Sequence, residues 1–247
     1  MATEKHHERI GLAMGQQHAR AQDTATAAGK EKSRGMQSAL AARIRLGAAA
    51  LAIAGILYVL YPALRPFSDE TSLQGAVAFA SVEWHVSHMM GMVAFTLLPL
   101  GLLGLYQSLH ATAGERLGYW ALVLGMIGIG FTLPYYGGET YGLYAIGQEA
   151  VRQQSAALLS LAPVVRGGAG MIMFAVGLIL LAVGGILAAI GIWRSGAYSR
   201  WSGIPFAAGL ALYIPQYFWT QPFRVAHGLL VAIGCLWIAG SLWRSSR

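Results

Sequence analysis

Charged residues are scarce in this chain. Asp, Glu, Lys and Arg together make up 11% of its 247 residues, less than half the roughly 25% usual for a soluble domain. That shortage excludes an ordinary water-soluble enzyme. It also excludes a disordered chain, which stays in solution through its polar and charged content. Cysteine is almost absent. A lone Cys235 excludes an internal disulfide, a thiolate zinc site and an iron–sulfur cluster held by one chain. Apolar–polar alternation at period two is missing, which argues against a membrane barrel. An HExxH helix or long histidine-box series is missing too.

What is present is apolar. Hydrophobic types reach 56% and the mean hydropathy is +0.53, so the composition points to a membrane. A bilayer core about 30 Å thick needs roughly 20 apolar residues in a helix, and lipid obliges each span to close its own backbone hydrogen bonds. Hydropathy and length predict an all-α polytopic bundle of six transmembrane helices: Leu46–Leu64, Trp84–Tyr106, Leu117–Tyr136, Gly167–Trp193, Ser202–Trp219 and Val225–Trp243. The fifth is the shortest and holds Pro205 and Pro215. The 32 glycines suit close helix packing in lipid. Residues 1–45 form a polar tail too long and too weakly apolar for a signal peptide. A short amphipathic helix is expected near Met36–Arg45, with most of the tail mobile. The chain thus divides into a tail, 1–45, and a six-helix domain, 46–247.

The net charge of +7 resembles a nucleic-acid signature until it is located. Thirteen of the 17 Lys and Arg fall in the tail, in the loops after the second and fourth spans, and at the C-terminus; Arg65, Arg152, Arg166 and Arg224 fall on the other face. The positive-inside rule then places both termini in the cytoplasm of a bacterial-type plasma (inner) membrane. The basic collar is read as meeting anionic lipid, with no nucleic-acid partner.

This topology gathers scattered ionisable residues at one face. The second span opens with Glu83-Trp-His85-Val-Ser-His88, the third closes near Glu139, the fourth opens after Arg166, and the sixth opens at Arg224-Val-Ala-His227. Ionisable groups at this depth are costly and normally face a bundle interior with a partner. Two readings give them a cofactor. In the first, His88 and His227 ligate a b-type haem from opposite sides. Gly91 and Gly228 then admit the ring, and Arg166 and Arg224 pair with its propionates. In the second, His85, His88, His227 and Glu139 hold a single transition-metal ion. Either would suit a redox role, with a quinone or other membrane subunits as candidate partners. Against both stands a bland alternative, in which the histidines bond carbonyls on neighbouring helices. The competing functions are an accessory or scaffold subunit without a cofactor, and a membrane-embedded enzyme acting on a lipid-like substrate.

Overall fold

In the computed structural model, five helices carry apolar stretches long enough to cross a bilayer: Gly29–Leu64, Val82–Ser108, Glu115–Arg152, Gly168–Ser195 and Gln221–Ser245. The structure describes the backbone of residues 2–246 and the side chains of residues 29–246, and among them no strand occurs. The chain divides into two units, Met1–Ala42 and Arg43–Arg247.

The first unit belongs to helix α1 (Ala2–Leu64). Its described side chains, from Gly29 to Ala42, are almost all exposed. The short separate helix expected at Met36–Arg45 is instead part of α1. Met36-Gln-Ser-Ala-Leu-Ala-Ala-Arg-Ile-Arg45 consists largely of strong helix formers with no breaker. The expected mobility of the tail before residue 29 lies outside the described side chains.

In the second unit the chain continues through α2 (Leu73–Phe79), α3 (Val82–Ser108) and α4 (Glu115–Gly137). It then passes through a π-turn at Gly138–Gly142 into α5 (Leu143–Arg152). After a 3-10 turn at Ala156–Leu161 come α6 (Ala162–Arg166), α7 (Gly168–Ser195), α8 (Gly203–Ala211), a second 3-10 turn at Pro215–Phe218, and α9 (Gln221–Ser245). Glycines set the close approaches. A Cβ on Gly47 would lie 2.7 Å from the Gly104 Cα, and one on Gly128 would lie 2.7 Å from the Gly177 carbonyl oxygen.

Two elements differ from expectation. The third span was expected to close at Tyr136, where Pro134 and the glycines Gly137 and Gly138 carry the residues of a break. Instead, Gly137 and Gly138 keep right-handed helical torsions, and the chain runs unbroken to Arg152. The side chain of Thr140 donates to the Tyr136 carbonyl at 2.6 Å, so part of the turn's backbone demand is met locally. The stretch Ser202–Trp219 is helical only to Ala211. Pro215 has no amide hydrogen to give to residue 211, and its ring clashes with that carbonyl. The short α8 nevertheless starts beside Ala189 of α7, where a Cβ on Gly203 would lie 2.6 Å from the Ala189 Cα. It then passes Val231 of α9 at Gly209, and the following residues reach Tyr136 of α4.

The main core lies between the long helices. A second, smaller core surrounds Ala76, Phe79, Trp84, Leu143, Ala150, Leu159 and Ala162. It forms a cap in which α2 packs on α5, the extension of α4. Gly147 makes this packing close, because a Cβ there would meet Phe79, Ala80 and Ala76 at 2.6–2.9 Å.

Candidate functional site

The cap meets the bundle where Ser81 starts α3. Its hydroxyl accepts from the Trp84 amide at 3.1 Å, satisfying one of the free donors of a helix N-terminus. This fixes Trp84, His85 and His88 in the first turns of α3. The π-turn presents Glu139 opposite them. Extra-residue turns of this kind recur at functional sites because they redirect backbone groups out of the helix ladder. Here the Trp84 indole N–H donates to the Glu139 carbonyl at 2.9 Å.

From Glu139 a chain of alternating charge runs through four residues in three segments. Arg166 grips both Glu139 carboxylate oxygens, one through Nε and the other through Nη2 at 3.1 Å. Its Nη1 bonds Glu70 in the loop after α1, and the other Glu70 oxygen takes Arg65 Nη2 at 2.8 Å. The Arg65 guanidinium also lies 4.5 Å over the Trp84 ring, an arrangement favoured by the ring's negative face. Burial pulls the Glu70 carboxyl upward, but Arg166 and Arg65 prevail and hold it below its ordinary value of 4.5. Burial likewise works against the charge on Arg166, yet Glu139 and Glu70 hold it protonated well above the usual guanidinium range.

The three histidines occupy three different environments. His88 is 1% exposed. Its Nδ1 lies 2.8 Å from the Trp84 carbonyl, and a carbonyl only accepts, so Nδ1 carries a proton. Its Nε2 has no hydrogen-bond partner and stands 3.6 Å from the Glu139 carboxylate. His85 packs against Tyr141 and Tyr144. His227 donates from Nε2 to the Gly209 carbonyl at 2.7 Å and meets Tyr213 edge-on.

Of the residues singled out in the sequence, Glu139, His88 and Arg166 are brought together. His85 and His227 are not joined to them, and among the described residues no group of three or more His, Cys, Asp or Glu is arranged to hold a metal ion. The faces of Gly91 and Gly228 are filled by protein: Tyr136 and Tyr61 lie against the first and the Tyr58 carbonyl against the second. Arg224 bonds the Tyr217 and Trp219 carbonyls at 2.6 and 3.0 Å.

Beside this chain of charge lies a cavity of about 520 Å³, within the roughly 300–1,000 Å³ usual for small-molecule sites. Its lining has Arg65, Ser68, Glu70, Glu139, Arg166 and Arg224 together with Phe67 and Phe218, while α7 gives an apolar wall of Met171, Phe174, Ala175 and Leu178, with Ile214. Neither His88 nor His227 is part of its lining. Tyrosines also line it. The Tyr136 hydroxyl meets those of Tyr213 and Tyr217, each at 3.1 Å, and Tyr135 stacks on Phe174 at 4.0 Å. Comparison with protein-family models, curated proteins and solved structures finds no match to this chain.

Sequence reasoning missed Arg65, Glu70 and Tyr61. A signal existed. Arg65 and Glu70 stand five residues apart, with opposite charge, immediately after the first span, at the same membrane face as Glu139 and Arg166. Ion-pair partners for costly buried charges are best sought there.

Proposed function

We propose that this protein is a six-crossing membrane protein that binds an amphipathic, lipid- or quinone-like molecule in a cavity open to the outer side of the membrane. The observation that carries this reading is a cavity lining that joins an ion-paired cluster to the apolar face of α7. Such a surface suits a molecule with a polar head and an apolar body, and buries both without leaving either unmatched. The sixth crossing is supplied by α8 and the 3-10 turn after it, which run alongside α7 and α9. Orientation follows from the basic residues, since Arg45, Arg194, Arg200 and Arg244 lie at the ends of spans away from the cavity. A binding role, or chemistry on a lipid-like substrate, fits this arrangement better than ligation between His88 and His227, because His227 Nε2 is already committed to Gly209.

The test is extraction of the protein in mild detergent, followed by native mass spectrometry and analysis of the co-purifying small molecules. An amphiphile at near-stoichiometric level is expected in the wild type. It should be lost in Ala175→Trp, which fills the apolar wall, at an unchanged gel-filtration profile. A wild type carrying no amphiphile would overturn the reading. A Soret absorption band abolished by His88→Ala, or a metal retained at one equivalent, would put a cofactor in its place.

A further inference from the structure

The charges lining the cavity do not cancel. Among the described residues, Glu70 and Glu139 are the only carboxylates in its wall, against Arg65, Arg166 and Arg224. All four carboxylate oxygens are already taken: those of Glu139 by Arg166, and those of Glu70 by Arg65 and Arg166. Arg224 is half-buried and has no carboxylate partner among the described residues. Its hydrogen bonds go to two neutral carbonyls, and its guanidinium lies over the rings of Phe67 and Tyr217. Arg65 bonds Glu70 through Nη2 alone. The guanidinium carbons of Arg65 and Arg224 stand 4.6 and 5.2 Å from the centre of the same Phe67 ring. Next to that ring the Ser68 hydroxyl is buried without a partner. Arg224, with no carboxylate partner among the described residues, and the unpartnered Ser68 hydroxyl therefore line the same cavity as Arg65, whose one carboxylate partner, Glu70, is shared with Arg166. An uncompensated charge in a semi-enclosed site is costly, and an oxyanion meeting it forms charge-assisted hydrogen bonds of about twice the usual strength.

We infer that the head of the bound amphiphile is an oxyanion, a phosphate or carboxylate, seated between Arg65 and Arg224 with Ser68 as a further donor. This rests on the amphiphile reading above and adds the charge of the head. The apolar body then lies along Phe174, Ala175 and Leu178, and the Arg166–Glu139 pair borders the head without supplying net charge of its own.

The experiment uses the full chain in an uncharged detergent, with binding followed by native mass spectrometry. The probes are dioctanoyl phosphatidic acid, dioctanoylglycerol (the same tails without the anion) and inorganic phosphate. Phosphatidic acid is expected to bind at least about 10-fold more tightly than dioctanoylglycerol, the effect of one charge-assisted contact. Arg224→Gln should remove that margin while leaving dioctanoylglycerol binding unchanged, and Arg224→Lys should restore part of it. Equal binding of the two lipids by the wild type would overturn the oxyanion assignment and leave the amphiphile reading intact. Binding of neither lipid would end the amphiphile reading and this inference with it. Inorganic phosphate binding as tightly as phosphatidic acid would show a site for a free ion and overturn the assignment of a lipid head. Because the lipid comparison is made on the wild type, a misfolded variant does not decide the outcome.

Discussion

Replacing Arg166 by glutamine should destabilise the protein more than any other single change in the cavity wall. The side chain joins Glu139 and Glu70, and Glu139 is left facing only the buried His88 when it is gone. Removing one partner of a fully buried ion pair costs about 3–5 kcal/mol. The Arg166 and Glu70 side chains are 24% and 28% exposed, and water relieves part of the penalty, so a cost of roughly 2–3 kcal/mol is expected. For a chain of this size each 1 kcal/mol shifts Tm by about 2–4 °C, so a fall of about 4–12 °C follows. The chain carries its own reporter. Cys235 is its single cysteine and is 0% exposed, so a thiol-reactive dye reads unfolding at one site. The decisive comparison is Arg166→Gln with Arg166→Gln/Glu139→Gln. If the loss comes from a stranded carboxylate, the second substitution recovers stability in the Arg166→Gln background although it costs stability alone. Additive losses, or a fall below about 2 °C, would refute the argument that Glu139 depends on Arg166.

Further outcomes follow from neighbouring features. Gly147→Ala should loosen the cap, since its Cβ meets Phe79, Ala80 and Ala76; hydrogen exchange should rise across residues 73–80. Gly130→Ala, with nothing within 4 Å, should be neutral or slightly stabilising. Trp84→Phe keeps an aromatic ring but removes the donor to the Glu139 carbonyl, so Tm should fall by the equivalent of about 1 kcal/mol. Glu70 is held below its ordinary value of 4.5. Its pairing with Arg166 and Arg65 therefore contributes fully above that pH and fades as pH falls through the lower folded value. The Tm difference between wild type and Glu70→Gln should be constant near neutral pH and shrink on acidification below about 4.5; a difference growing toward acid would contradict the depressed value.

The long helices were legible because lipid imposes one requirement on all of them: enough apolar residues in a row, with every backbone group closed internally. The convergence of Glu139, Arg166 and His88 was legible for a related reason. Costly groups at the ends of spans on one face have few places to go but toward each other. Helix adjacency was not legible, and it decides which histidine meets which partner. His227 has the composition of a ligand, yet its neighbour proved to be the carbonyl that α8 exposes near its end at Gly209. The unbroken run from α4 to α5 was hidden as well, because Pro134 and Gly137-Gly138 carry the residues of a break. The Trp84 indole on the Glu139 carbonyl and the local bond from Thr140 to Tyr136 support the helix there. The cavity itself arises where α1, α4, α7 and α9 fail to fill the space between them, which no pattern along one segment records.

The five-residue turn at Gly138–Gly142 sets the phase between the two ends of one rod. Each residue in an α-helix advances the face by about 100°, so shortening this stretch by one would swing Leu143, Gly147 and Ala150 away from Phe79 while Tyr136 kept its place in the bundle. The seating of the cap and the aim of the Glu139 carboxylate are thus governed by the same few peptide units, and a twist applied to α5 would arrive at the ion chain as a rotation of its terminal acid.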